Sequence, residues 1–151
     1  MLRDEAPADD LTVLLRATQA DRELAATQIA EDALVSAETY LVLTASGAQA
    51  VLYGVSMYAR RAGTDMTKLL RRFRFAPVYV EATAGTLRQQ GFEILAAGAD
   101  PDHYEVQLLP GRLVGSPLAS IPELWDAARR LLDAAGRPII NPAYAGGEEH
   151  R

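Results

Sequence analysis

The sequence predicts an α+β fold: Ala-rich helices toward the N-terminus, a small and mostly antiparallel sheet, and a C-terminal amphipathic helix lying on that sheet. Three observations carry the prediction. Ser120-Ile-Pro-Glu123 is a capping box, in which a serine oxygen meets a free amide and a glutamate reaches back, and it opens a helix over 121–135. Leu124, Trp125, Ala128, Leu131, Leu132 and Ala135 recur on one face of that helix, so the face should lie on the sheet with the only tryptophan buried there. Two strand-like segments, 92–97 and 103–109, flank the turn Gly98-Ala-Asp-Pro-Asp and should pair antiparallel.

Length and composition agree with a single globular domain over 11–145, a flexible arm over 1–10 and a disordered tail over 146–151. At 151 residues the chain can bury about 70% of the surface its unfolded form exposes. Its 49% apolar and 23% charged residues are globular averages. The absence of cysteine excludes disulfides, thiolate nucleophiles and Cys-based metal sites. The acidic N-terminus does not read as a secretory signal, and no run approaches the roughly 18 apolar residues of a membrane span. A cytoplasmic protein without membrane contact is the expectation, with leaderless export left open.

Taken in order, 11–17 (LTVLLRA) is ambiguous between a strand and a first helical turn capped by Asp9 or Asp10, with the helix preferred, and the Ala-rich stretch from Asp21 to Glu38 reads as a helix. Residues 39–45 read as a strand bounded by Ser46-Gly47, although a three-and-four apolar spacing from Leu34 to Tyr58 also permits helix. A helix is expected over about 48–61, with Gly54 marking close packing, since an interior glycine costs about 1 kcal/mol. Thr64 or Asp65 then caps a short helix that ends in Arg71-Arg72-Phe73-Arg74-Phe75. Val78 to Ala82 is a strand, Thr83 caps another short helix ended by Gly91, and 111–120 is a loop. Ile139, Ile140 and Tyr144 are expected to fold back onto the core. The alternative architecture is an open α/β layer in which 11–17 and 39–45 join the sheet.

Charge is distributed unevenly. The stretch from Met57 to Phe75 carries +5 in a chain whose total is −5, leaving −10 for the rest. Leu69, Leu70 and Phe73 form the inward stripe of its helix, so Lys68, Arg71, Arg72 and Arg74 should project outward. Arg60, Arg61, Lys68, Arg71, Arg72, Arg74 and Phe75 are therefore the candidate binding residues, for guanidiniums recognise phosphate and carboxylate in a planar, bidentate way. The competing expectation is that these cations neutralise acids of the same protein or of a sister subunit, because residues 1–38 hold nine acids against three bases. An isoelectric point near 5.0 also departs from the strongly basic values of dedicated nucleic-acid binders.

His103 and Glu105 are the candidate catalytic residues. Two apart on a strand, they share a face, and with arginines nearby they would suit general acid/base work on a phosphodiester. Asp100, Asp102, His103 and Glu105 only sketch a metal site, no nucleotide loop or GxSxG occurs, and no metal or cofactor is expected. The leading expectation is a non-enzymatic binding or assembly protein, a homo-oligomer or the partner of an acidic surface, using the basic helix over 65–75. The alternative is a small RNA-binding or phosphodiester-acting, RNase- or toxin-like domain built on the arginines and His103.

Overall fold

A computed structural model describes residues 8–39, 41–43, 49–110, 112–113 and 117–145. In chain order these form β1 (Val13–Thr18), α1 (Arg22–Thr39), β2 (Leu41–Leu43), β3 (Gln49–Val51), β4 (Gly54–Arg60), α2 (Met66–Arg71), β5 (Val78–Thr83), α3 (Ala84–Gln89), β6 (Glu93–Ala96), β7 (His103–Gln107), β8 (Arg112–Leu113), α4 (Ile121–Ala135) and β9 (Ile139–Ile140). The main sheet has six antiparallel strands in the order β6-β7-β4-β1-β5-β9, and β2, β3 and β8 form a second, three-stranded sheet. The class is α+β, as expected.

Two helices were misread. Residues 11–17 are not helical: Asp9 closes a turn with Leu11 and Thr12, and the chain then runs as β1 at the centre of the sheet. Residues 48–61 are not helical either, and supply β3 and β4. The apolar spacing misled because Val51 and Val55 satisfy both a four-residue and a two-residue repeat. The two-residue repeat wins: Val51, Tyr53, Val55, Met57 and Ala59 are all buried, while Ser56, Tyr58 and Arg60 on the other face are half-buried. Of the expected 39–45 strand, 41–43 is β2, whereas 40 and 44–48 lie outside the described residues.

The 78–82 strand and the 92–97/103–109 hairpin are present as β5, β6 and β7, but they do not form the centre of the sheet. That place belongs to β1 and β4, which stand between the hairpin and β5. The 111–120 loop also contains β8, which pairs with β3.

One face of the sheet presents Leu14, Val55, Met57, Val80 and Val106, covered by α1 and α4. Small side chains let these two helices approach each other: α1 buries Ala25, Ala26, Ile29, Ala30 and Ala33, and α4 buries Ala127 and Ala128 beside Leu124 and Leu131. Ser120 caps α4, its Oγ accepting from the Glu123 amide at 3.3 Å. Trp125 is only half-buried at the rim, with the Arg129 guanidinium 4.5 Å from its ring, so the single tryptophan is not a core residue.

The opposite face is covered over part of its width. Leu69, Leu70 and Phe73 from α2 and the turn after it pack on Leu15 and Tyr79. Asn141 ties the C-terminal segment to this layer. It is buried, and its amide group donates to the Phe73 and Ala76 carbonyls while accepting from the Ala143 amide. Ile139 joins this cluster, whereas Ile140 is 79% exposed and Tyr144 42%, so only part of the expected fold-back occurs.

Candidate functional site

Asp65 caps α2 through the Lys68 amide, and burial of Leu69, Leu70 and Phe73 fixes the helix's rotation. Lys68 and Arg71, one turn apart, are then exposed. Arg74 follows three residues on, its guanidinium 4.5 Å from the ring of Phe75, which is 57% exposed. Lys68, Arg71 and Arg74 are thus all exposed, and the last lies against an accessible aromatic ring. Among the described residues neither Lys68 nor Arg71 has an acidic partner.

The remaining arginines are held from within. Arg60 pairs with Glu81 at 2.6 Å, and Arg61 with Asp102 at 2.9 Å and with the Tyr104 hydroxyl at 2.6 Å. Those two hydrogen bonds raise the already high pKa of Arg61 further. Arg72 does not project freely as expected: it pairs with Asp100 and lies over the Tyr58 ring at 4.8 Å. Among the described residues the neutralising acids come from the β6–β7 turn and β5, and none of them lies in 8–37. Pairs this exposed add little stability and act chiefly by orienting the side chains.

Beneath Arg72, the two strands β4 and β7 set a ladder of polar pairs: Tyr58 opposite His103, Ser56 opposite Glu105, Gly54 opposite Gln107. The Tyr58 and His103 rings stack with centroids 5.1 Å apart. His103 Nε2 lies 3.0 Å from the Ser56 hydroxyl, which donates to Glu105 Oε1 at 3.2 Å. A hydroxyl between an imidazole and a carboxyl can pass a proton either way. Glu105 is 4% exposed, and that burial pushes its pKa up, against the lowering effects of the Ser56 hydrogen bond and the Arg16 charge. Among the described residues its Oε2, Gln107 Nε2 and Arg16 Nε are buried without hydrogen-bond partners.

Two glycines shape this ladder. A Cβ on Gly54 would stand 2.9 Å from Gln107 Nε2 and 3.1 Å from Glu105 Cβ, so the expected close packing at Gly54 is real, but it occurs inside a strand. At Gly98 the backbone has φ +72°, and a Cβ would lie 2.8 Å from His103 Nδ1. Both the turn and the imidazole's position need glycine there.

Three clefts meet at Arg72. One of about 500 Å³ is lined by Tyr58, Arg61, Asp65, Lys68, Asp100 and Asp102. Another, of about 430 Å³, exposes Arg16, Ser56, Tyr58 and Phe73. The third, of about 450 Å³, runs between Gln28, Glu31 and Asp32 of α1 on one wall and Arg72, Phe73 and Phe75 on the other, with Arg16 and Thr18 between. Among the described residues no group of three or more His, Asp and Glu side chains could hold a metal ion, and no helix is long and apolar enough to cross a membrane.

Comparison with protein-family models, with curated proteins and with solved structures finds no match to this chain.

The structure brings His103 and Glu105 together through Ser56, with Arg72 over the neighbouring Tyr58; Lys68 and Phe75 line two of the clefts that meet at Arg72, and Arg71 and Arg74 are exposed. Sequence reasoning missed Arg16, Ser56 and Gln107. Arg16, whose guanidinium pairs with Asp32 and donates to the Ser56 carbonyl at 3.0 Å, was hidden by reading 11–17 as helix. Read as a strand, 13–18 would have shown Arg16 as a charge on the same face as Leu14.

Proposed function

We propose that this protein is a non-enzymatic binding module whose α2 segment engages an acidic protein surface through Lys68, Arg71, Arg74 and Phe75. The observation that carries this reading is the division among the cations: Arg60, Arg61 and Arg72 are held by carboxylates of their own chain, whereas Lys68 and Arg71 have none among the described residues. Arginine beside an exposed aromatic ring is the pairing on which binding energy concentrates at protein interfaces. The expected outcome is micromolar, salt-sensitive binding of a fluorescent glutamate-rich peptide, lost in the double variant Arg71→Glu/Arg74→Glu. Equal binding by that variant, or none by the native protein at low salt, defeats the reading.

A second reading rests on a different observation, the stacking of Arg72, Tyr58 and His103 above Ser56 and Glu105. A cation, two rings and a proton-passing hydroxyl would suit an RNA-binding or phosphodiester-acting domain. Its mark is RNA cleavage or salt-dependent RNA binding that both His103→Ala and Arg72→Ala abolish.

A further inference from the structure

The geometry points to a second copy of this chain as the acidic partner, docked about a two-fold axis that runs along the groove between α1 and the turn after α2, residues 72–76. This rests on the binding role of α2 proposed above and names its partner.

Opposite charges face each other across that groove. One wall is the edge of α1, where Gln28, Glu31 and Asp32 line the groove. Leu24, Gln28 and Glu31 lie four and three residues apart, on one stripe of the helix, and Leu24 is 48% exposed. This edge is acidic with an accessible apolar residue at its end. The other wall carries Arg72, Phe73 and Phe75, with Arg74 stacked on Phe75. Asp32 and Arg72 are already engaged, with Arg16 and Asp100 respectively. Glu31 has no cationic partner among the described residues, nor Arg71 an acidic one.

Complementary patches at distant points on a molecule make head-to-tail contacts, which close into rings or run on as open chains with one patch unused at each end. Patches that adjoin across one groove behave differently. A two-fold axis running along the groove lays the 72–76 wall of each copy on the α1 wall of the other, so both contacts form at once and the assembly closes at two. Phe75 of each copy enters the groove of its partner, beside the exposed Leu24. Arg74, stacked on the groove-lining Phe75, and Arg71, adjacent in sequence to the groove-lining Arg72, meet Glu31, and the charge separation between Met57–Phe75 and the rest of the chain is used within the dimer.

Charge exchange tests this directly. Sedimentation of the full-length protein across concentrations should show a monomer–dimer equilibrium that weakens with salt. Arg71→Glu/Arg74→Glu and, separately, Glu31→Arg should each sediment as monomers, with dimer affinity lowered at least about tenfold. An equimolar mixture of the two variants restores both contacts and should return a dimer. Circular dichroism and thermal melts verify that each variant is folded, and Glu93→Arg, on β6 away from the groove, should dimerise normally. A native protein that stays monomeric, a dimer indifferent to these reversals, a mixture that remains monomeric, or assemblies that grow beyond two overturn the proposal. If the protein is monomeric yet still binds the glutamate-rich peptide through Arg71 and Arg74, the two-fold fails while the binding role of α2 stands. Loss of both removes the two together.

Discussion

The same two strands build opposite kinds of surface on the two faces of the six-stranded sheet. Toward α1 and α4, β4 and β7 pair Met57 with Tyr104 and Val55 with Val106, all buried in the main apolar cluster. Toward α2 they pair Ser56 with Glu105 and Tyr58 with His103. Burial is just as deep at Glu105 and Gln107 as in the apolar core, yet each has a polar atom with no partner among the described residues. Leaving a buried polar group unsatisfied costs about 1–3 kcal/mol. One face holds the fold together; the other carries polar chemistry at a cost to stability.

The largest expected effect breaks the apolar face. Leu131 is fully buried between α4 and the sheet, so Leu131→Ala should lower unfolding free energy by about 2–5 kcal/mol, measured by chemical denaturation. A loss below about 1 kcal/mol would show that α4 contributes little to the core.

Glu105→Gln sharpens the contrast from the polar side. Burial raises the folded-state pKa of Glu105 above its ordinary value of 4.5, so the folded protein holds this proton more tightly than the unfolded chain does. The corresponding stability is fully present below the ordinary value and is lost as pH rises through the folded value. Glutamine has no charge to bury. The variant should therefore gain on the native protein as pH climbs above 4.5 and then level off, by about 1.4 kcal/mol for every pH unit separating the two values. Parallel stability profiles would show that the Glu105 carboxyl ionises without cost.

The smallest effect on stability belongs to the exposed cations of α2. Arg71→Glu changes an exposed side chain with no ionic partner among the described residues, and its unfolding free energy should stay within about 0.5 kcal/mol of native. A large loss would mean that Arg71 supports the fold, and would turn any loss of binding into a folding defect.

Local signals were legible wherever a short stretch decides its own structure. Ser120 caps α4, Thr83 caps α3 and Asp65 caps α2 because each side-chain oxygen meets an amide three residues on. The Gly98–Asp102 turn likewise joins two strands in register from Ala96–Tyr104 to Glu93–Gln107. The same locality explains the errors. In Gly54 to Tyr58 an apolar pattern compatible with helix and strand was resolved by pairing with β7, a partner about fifty residues away. Val13 to Thr18 became a central strand because β4 and β5 flank it on either side.

The sequence by itself determined the α+β class, the caps, the hairpin and the cations of α2, for these follow from propensity, spacing and charge within a few residues. Only the tertiary structure decided which cations are occupied and which are left outward, since that depends on acids at positions 81, 100 and 102 reaching arginines at 60, 72 and 61. It also decided that Ser56 stands between His103 and Glu105. Strand register is set by long-range pairing, and a shift of one residue would have turned every one of these side chains to the other face.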